Sequence, residues 1–129
     1  MIAIDTNVLL RRLIEDDAQQ AQKVADLFRA NDGVLVTDVV LVETLWVLKG
    51  KGYKLDKKTL CSIVWALLEE PNIQFESEDA VWGALRDYMQ HAGVHYPDAL
   101  IAHKSQALGA STLYSFDVKA QRLKNVTAP

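Results

Sequence analysis

Met1-Ile2-Ala3-Ile4-Asp5-Thr6-Asn7-Val8-Leu9-Leu10 is the stretch whose reading decides the fold. Residues Met1 to Ile4 form the apolar run of a strand covered on both faces. Asp5, Thr6 and Asn7 are all helix-capping types, and Val8-Leu9-Leu10 then begins a new apolar pattern. The stretch therefore reads as a short buried strand feeding a helix. In open parallel sheets ligands bind at the carboxyl ends of the strands, so Asp5 stands where such a fold places its chemistry.

The same alternation continues outward. Ala18, Ala21, Val24, Ala25 and Phe28 follow helical spacing, with Asp16 or Asp17 as cap and Asn31-Asp32-Gly33 as stop. A second strand is predicted at Val34 to Thr37, and a helix capped by Asp38 runs from there to about Lys49, ended by Gly50 and Gly52. Asp56 caps a helix over Lys57 to Glu69, and Ile73 to Phe75 is a third short strand. Ser77 opens a helix ended by Gly93, and Pro97 sits in the first turn of another that reaches Leu108. Thr112 to Phe116 reads as a fourth strand, Asp117 to Leu123 as a short helix and Val126-Thr127 as a last edge strand. Strands alternating with helices predict an α/β fold with a mostly parallel sheet covered on both faces.

The 129 residues and 14.4 kDa fit one compact domain, 1–129, and the 50% apolar content suffices for its core. A formal charge of −3 disfavours a polycation that coats nucleic acid without regard to sequence. Cys61 is the only cysteine, which excludes an internal disulfide and a four-cysteine zinc site. The longest apolar stretch, Ile63 to Leu68, is far short of the roughly 20 residues of a membrane span. No secretory signal is expected ahead of Asp5, and a cytoplasmic location is the simplest expectation.

Four acids fall at informative places. Asp5 ends the first strand and Asp117 the fourth, Asp98 starts the helix before the fourth strand, and Glu43 lies in the helix after the second. Each Asp has a bland reading as a helix cap. Glu43 is flanked at helical spacing by Val39, Val40, Trp46 and Val47, so it is expected to be sheltered and to have something cationic against it. Several carboxylates without cysteine suit a hard divalent cation such as Mg²⁺, which takes oxygen ligands and keeps waters for a phosphate substrate to displace. An activated water could then attack a phosphodiester in line.

Ile4-Asp5-Thr6-Asn7-Val8-Leu9-Leu10-Arg11, the mid-chain Glu43, Pro97-Asp98-Ala99-Leu100-Ile101-Ala102, and Gly109-Ala110 through Ser115-Phe116-Asp117 resemble the conserved blocks of PIN-domain nucleases. Their order and spacing cover essentially the whole chain. Its length resembles that of the VapC-type toxins of toxin-antitoxin pairs. The resemblance implies a three-layer α/β/α sandwich around a parallel sheet of four or five strands. It also implies a Mg²⁺- or Mn²⁺-dependent endoribonuclease, a homodimer and a cognate antitoxin that inhibits it. Carried onto this chain, Asp5, Glu43, Asp98 and Asp117 match the family's acidic quartet, with Thr6, Asn7 and Ser115 at supporting polar positions. Many members carry Thr where Ser115 stands, which keeps the hydroxyl, and another acid where this chain has Lys119, which removes a fifth carboxylate there.

Arg11, Lys119 and Arg122 lie close in sequence to the acids and are the expected phosphate contacts. Lys49, Lys51, Lys54, Lys57 and Lys58 read first as a solvated turn. His91 and His95 flank Gly93, which breaks any helix that would align them on zinc, and His103 reads as a helix-surface residue. Trp46, Trp65 and Trp82 read as core or interface residues. The helix from Val39 to Leu48 is polar only at Glu43 and Thr44, so it is either wholly buried or covered by a partner, with Trp46 as the expected contact. Two rival functions have other sequence signatures. A phospho-receiver needs paired acids after strand one, where Thr6-Asn7 stands. A non-catalytic module with a vestigial metal site would be expected to have lost an acid.

Overall fold

The computed structural model describes all residues, 1–129. The chain is an α/β protein whose contacts divide it into two compact units, Met1–Glu76 and Ser77–Pro129. No helix is long and apolar enough to cross a membrane.

The first unit holds β1 (Ile2–Ala3), α1 (Thr6–Leu13), α2 (Ala18–Ala30), β2 (Val34–Val36), α3 (Asp38–Lys49), α4 (Lys57–Glu69) and β3 (Ile73–Phe75). Its strands form one parallel sheet in the order β1-β2-β3, with Ile2 opposite Val34 and Leu35 opposite Gln74. The central strand, Val34-Leu35-Val36, is apolar at every position, as a strand covered on both faces requires. Capping fixes where the helices start. Asp5 accepts from the Val8 N–H at 3.0 Å, Asp17 from Gln20 at 3.1 Å and Asp56 from Thr59 at 2.8 Å. The hydrogen bonds from Thr59 hold the Asp56 carboxyl below its usual range. At α3 the cap is Thr37, whose hydroxyl accepts from Val40, and Asp38 is instead the first helical residue, where its charge faces the positive end of the helix dipole. The Arg12 guanidinium lies 4.3 Å from the centre of the Phe28 ring and pairs with Glu70 at 2.5 Å, tying α1 to α2 and to the end of α4.

The second unit holds α5 (Glu78–Gln90), α6 (Tyr96–Ala107), β4 (Leu113–Tyr114), a 3-10 turn at Ala120–Arg122 and β5 (Val126–Thr127). Ser77 caps α5, and Pro97 lies in the first turn of α6. The two helices are joined by polar contacts with aromatic support. The Tyr96 hydroxyl donates to the Val81 carbonyl at 3.1 Å, the Tyr88 and Tyr96 rings meet edge to face, and His103 Nε2 lies 2.6 Å from Asp87 Oδ2. His103 is therefore a helix-helix contact and not a free surface residue.

The expected sheet of four or five strands is replaced by a three-stranded sheet and a separate parallel pair, β4-β5. β4 is only two residues long, and the hydrogen bonds it makes go to β5. Leu113 N donates to Asn125 O and Ser115 N to Thr127 O, so one edge of this two-residue strand is consumed by β5. Asn125, at φ 63°, makes the sharp turn that sets β5 alongside. The fourth strand is correspondingly shorter than Thr112 to Phe116, and the expected helix after Asp117 is reduced to the 3-10 turn.

Gly83 sits in mid-helix, where glycine is normally unfavourable. A β-carbon there would lie 2.5 Å from His103 Cε1 and closer still to Nδ1, so the absence of a side chain is what lets His103 lie across α5 to reach Asp87. Gly83→Ala should therefore cost about 1–3 kcal/mol in denaturant unfolding, despite alanine's better helix propensity. Gly52→Ala, where nothing lies within 4 Å, should cost nothing measurable in the same assay.

Candidate active site

In the first unit, Asp5 follows β1 and caps α1 through Oδ1, which accepts from Val8 N at 3.0 Å. The next residue, Thr6, is buried, and its hydroxyl donates a short hydrogen bond to Glu43 Oε1 on α3. The start of α1 and the middle of α3 thus bring Thr6 and Glu43 together, with Asp5 next to Thr6 in the chain. Asn7 is exposed. Arg11 places Nε on Gln20 at 2.7 Å and Nη1 on Asp16 at 2.8 Å, so two of its five N–H donors and its ion pair are spent within the unit.

Glu43 is exposed, and the group against it is a hydroxyl, not the expected cation. The cause is the orientation of α3. Leu41, Thr44, Leu45 and Leu48 are its buried residues, while Val39, Glu43 and Trp46 follow one another at helical spacing on an exposed stripe. Trp46 is 75% exposed, so α3 is not wholly buried and Trp46 is not a core residue. Trp65 is also exposed and Trp82 half-buried, so no tryptophan is fully enclosed. Thr44 is fully buried and its hydroxyl has no hydrogen-bond partner.

In the second unit, Asp98 lies in the first turn of α6, half-buried, with no hydrogen bond or ion pair to its carboxylate. Asp117 follows β4 and organises the turn after it. Its Oδ1 accepts from the N–H groups of Lys119 at 2.9 Å and Ala120 at 3.1 Å, and its own N–H donates to the Ser115 hydroxyl at 3.1 Å. Ser115 thereby supports Asp117 directly. Lys119 and Arg122 are exposed. Sequence reasoning missed one arrangement here, the packing of Lys119 over Gly93; the sequence carries only a loop glycine after α5, and its positive φ is seen in the structure alone.

Asp5, Glu43 and Asp117 are each held through one carboxylate oxygen while the other oxygen takes no hydrogen bond, and Asp98 keeps both. None of them is paired with Lys, Arg or His. Within neither unit do three His, Cys, Asp or Glu side chains form a group that could hold a metal ion by itself. Carboxylates that are oriented yet not neutralised are the kind of oxygen donor that a hard divalent cation of the Mg²⁺ type takes. Thiolate chemistry is disfavoured, because burial pushes the Cys61 thiol up.

The double duty of Asp5 as cap and candidate ligand separates on substitution. Asn caps a helix as well as Asp does, so Asp5→Asn should melt within a few tenths of a kcal/mol of the parent, whereas Asp5→Ala should lose about 1 kcal/mol. Thermal or denaturant unfolding of the two variants, followed by circular dichroism, checks this.

Among curated proteins none matches the chain. The PIN domain family matches it over residues 2–126, which include Asp5, Glu43, Asp98 and Asp117 and run through both units. The chain belongs to the PIN domain family.

Proposed function

We propose that this protein is a Mg²⁺- or Mn²⁺-dependent endoribonuclease, the toxin of a VapC-type toxin-antitoxin pair, with 1–129 acting as one nuclease domain. PIN domains are generally nucleases, which supports the reaction class. The observation that carries the finer reading is the state of Asp5, Glu43, Asp98 and Asp117, each aimed or left open without a cation to neutralise it. Asp5, Asp98 and Asp117 would hold the ion, and Glu43 would share it. When bound, such an ion polarises the phosphodiester and acidifies an attacking water.

The chain's own groups do the rest. The Thr6 hydroxyl fixes Glu43 Oε1 and leaves Oε2 free, so Glu43 would share the ion and help orient an attacking water through that oxygen. Ser115 holds the Asp117 backbone, and the N–H groups of Lys119 and Ala120 hold its carboxylate, so one oxygen stays aimed while the other is free to bind. Cleavage of single-stranded RNA by the purified chain tests the reading. EDTA should abolish it and Mg²⁺ or Mn²⁺ restore it. Asp98→Asn should be folded and inactive, and Thr6→Val should lose about 10–100-fold by loosening Glu43. If Asp98→Asn cuts as well as the parent, the assignment of the acids is wrong.

The cytoplasmic location, a second copy of the chain as homodimer partner and a cognate antitoxin belong to the same reading. The exposed stripe of Val39 and Trp46, with Glu43 between them, suits a partner segment with an apolar face and a basic side chain that reaches the carboxylates and blocks the site. Because Trp46 is largely exposed, Trp46→Ala should leave the melting temperature of the free chain nearly unchanged while weakening the antitoxin complex by about tenfold or more. Calorimetric binding and melting, run side by side, decide it.

A further inference from the structure

The loop between α5 and α6 turns at Gly93, whose φ of 82° is left-handed. A β-carbon on Gly93 would lie 2.5 Å from Lys119 Cδ and 2.6 Å from Lys119 Nζ. Glycine at this left-handed position lets the Lys119 side chain pass close over the loop, and a β-carbon there would have to displace the flexible end of that exposed side chain. From the same turn as Lys119, Arg122 Nη1 donates to the carbonyl of Ala92, the neighbouring residue, at 3.4 Å. Two cations from one turn thus rest on two adjacent residues of one loop.

Neither Lys119 nor Arg122 has an acidic partner. Asp117, the carboxylate of their turn, faces the backbone N–H groups of Lys119 and Ala120 instead. Two like charges gathered without a counter-ion repel each other, and an anion between them relieves that repulsion. Lysine supplies a point charge and arginine a planar fork, the pair of donors that a phosphate accepts well.

We propose that Lys119 and Arg122, held on the Ala92–Gly93 loop, form a subsite for one backbone phosphate of the RNA strand, in the same turn as Asp117. The proposal rests on the nuclease reading above and adds to it a positioning device built from the loop. It predicts loss of binding more than loss of chemistry.

The test is cleavage of a labelled single-stranded oligoribonucleotide with Mg²⁺, with kcat and KM measured over a series of KCl concentrations. Neutralising one phosphate on a single strand contributes about 0.7 to the slope of log affinity against log salt. The double variant Lys119→Gln, Arg122→Gln should raise KM by more than it lowers kcat and should flatten the salt slope of kcat/KM by about 0.7. Lys119→Arg keeps the charge and should retain the slope. A double variant with the parent's slope overturns the subsite while leaving the nuclease reading intact, and so does a KM raised equally at every salt concentration with a lowered melting point, the mark of a structural role. A parent chain that cleaves no RNA with Mg²⁺ or Mn²⁺ overturns both.

Discussion

A carboxylate has two oxygens, and much of this protein's organisation turns on how they are divided. Asp5 gives one oxygen to the open N–H groups at the start of α1, and Asp117 gives one to the turn before β5. These bonds fix where each side chain points, because the accepting oxygen must face the backbone it caps. The second oxygen is then presented outward without a flexible torsion to search. Had either Asp been paired with a lysine or arginine, its charge would already be satisfied. Orientation by neutral N–H donors leaves the negative charge available to a cation.

The same logic explains how much of the structure could be read in the sequence. Helix starts were legible where a single capping residue stood before an apolar pattern, as Asp56 and Ser77 do; of the two candidates Asp16 and Asp17, Asp17 caps α2. At Thr37-Asp38 two capping types stand side by side, and spacing cannot say which is first; the hydroxyl of Thr37 takes the role. The parallel pairing of the first three strands followed from the alternation of strand and helix. The fate of the fourth did not, because a ladder of two residues is decided by a few hydrogen bonds and carries little pattern.

The candidate site was legible as residue types at junctions, while its local support was only partly so. The contact of Thr6 with Glu43 joins residues far apart in sequence, and only the packing of α1 near α3 creates it. Glu43 is not sheltered within the chain, because of the two readings of the apolar α3, wholly buried or covered by a partner, the first does not hold. In the structure α3 buries Leu41, Leu45 and Leu48 and leaves Val39 and Trp46 outside. An apolar stripe of that kind on a charged protein is a common feature of surfaces that meet another macromolecule.

Gly83 and His103 have a consequence for how this chain can vary. The imidazole occupies the space in which a side chain at position 83 would stand, and its bond to Asp87 depends on that space being empty. The two positions therefore cannot drift independently. A lineage that acquires a larger residue at 83 must shrink or redirect the one at 103, and Asp87 then loses the partner that half-buries it. Glycine at 83, histidine at 103 and aspartate at 87 should be inherited as a set, visible as correlated change among related sequences even though none of the three belongs to the acidic site.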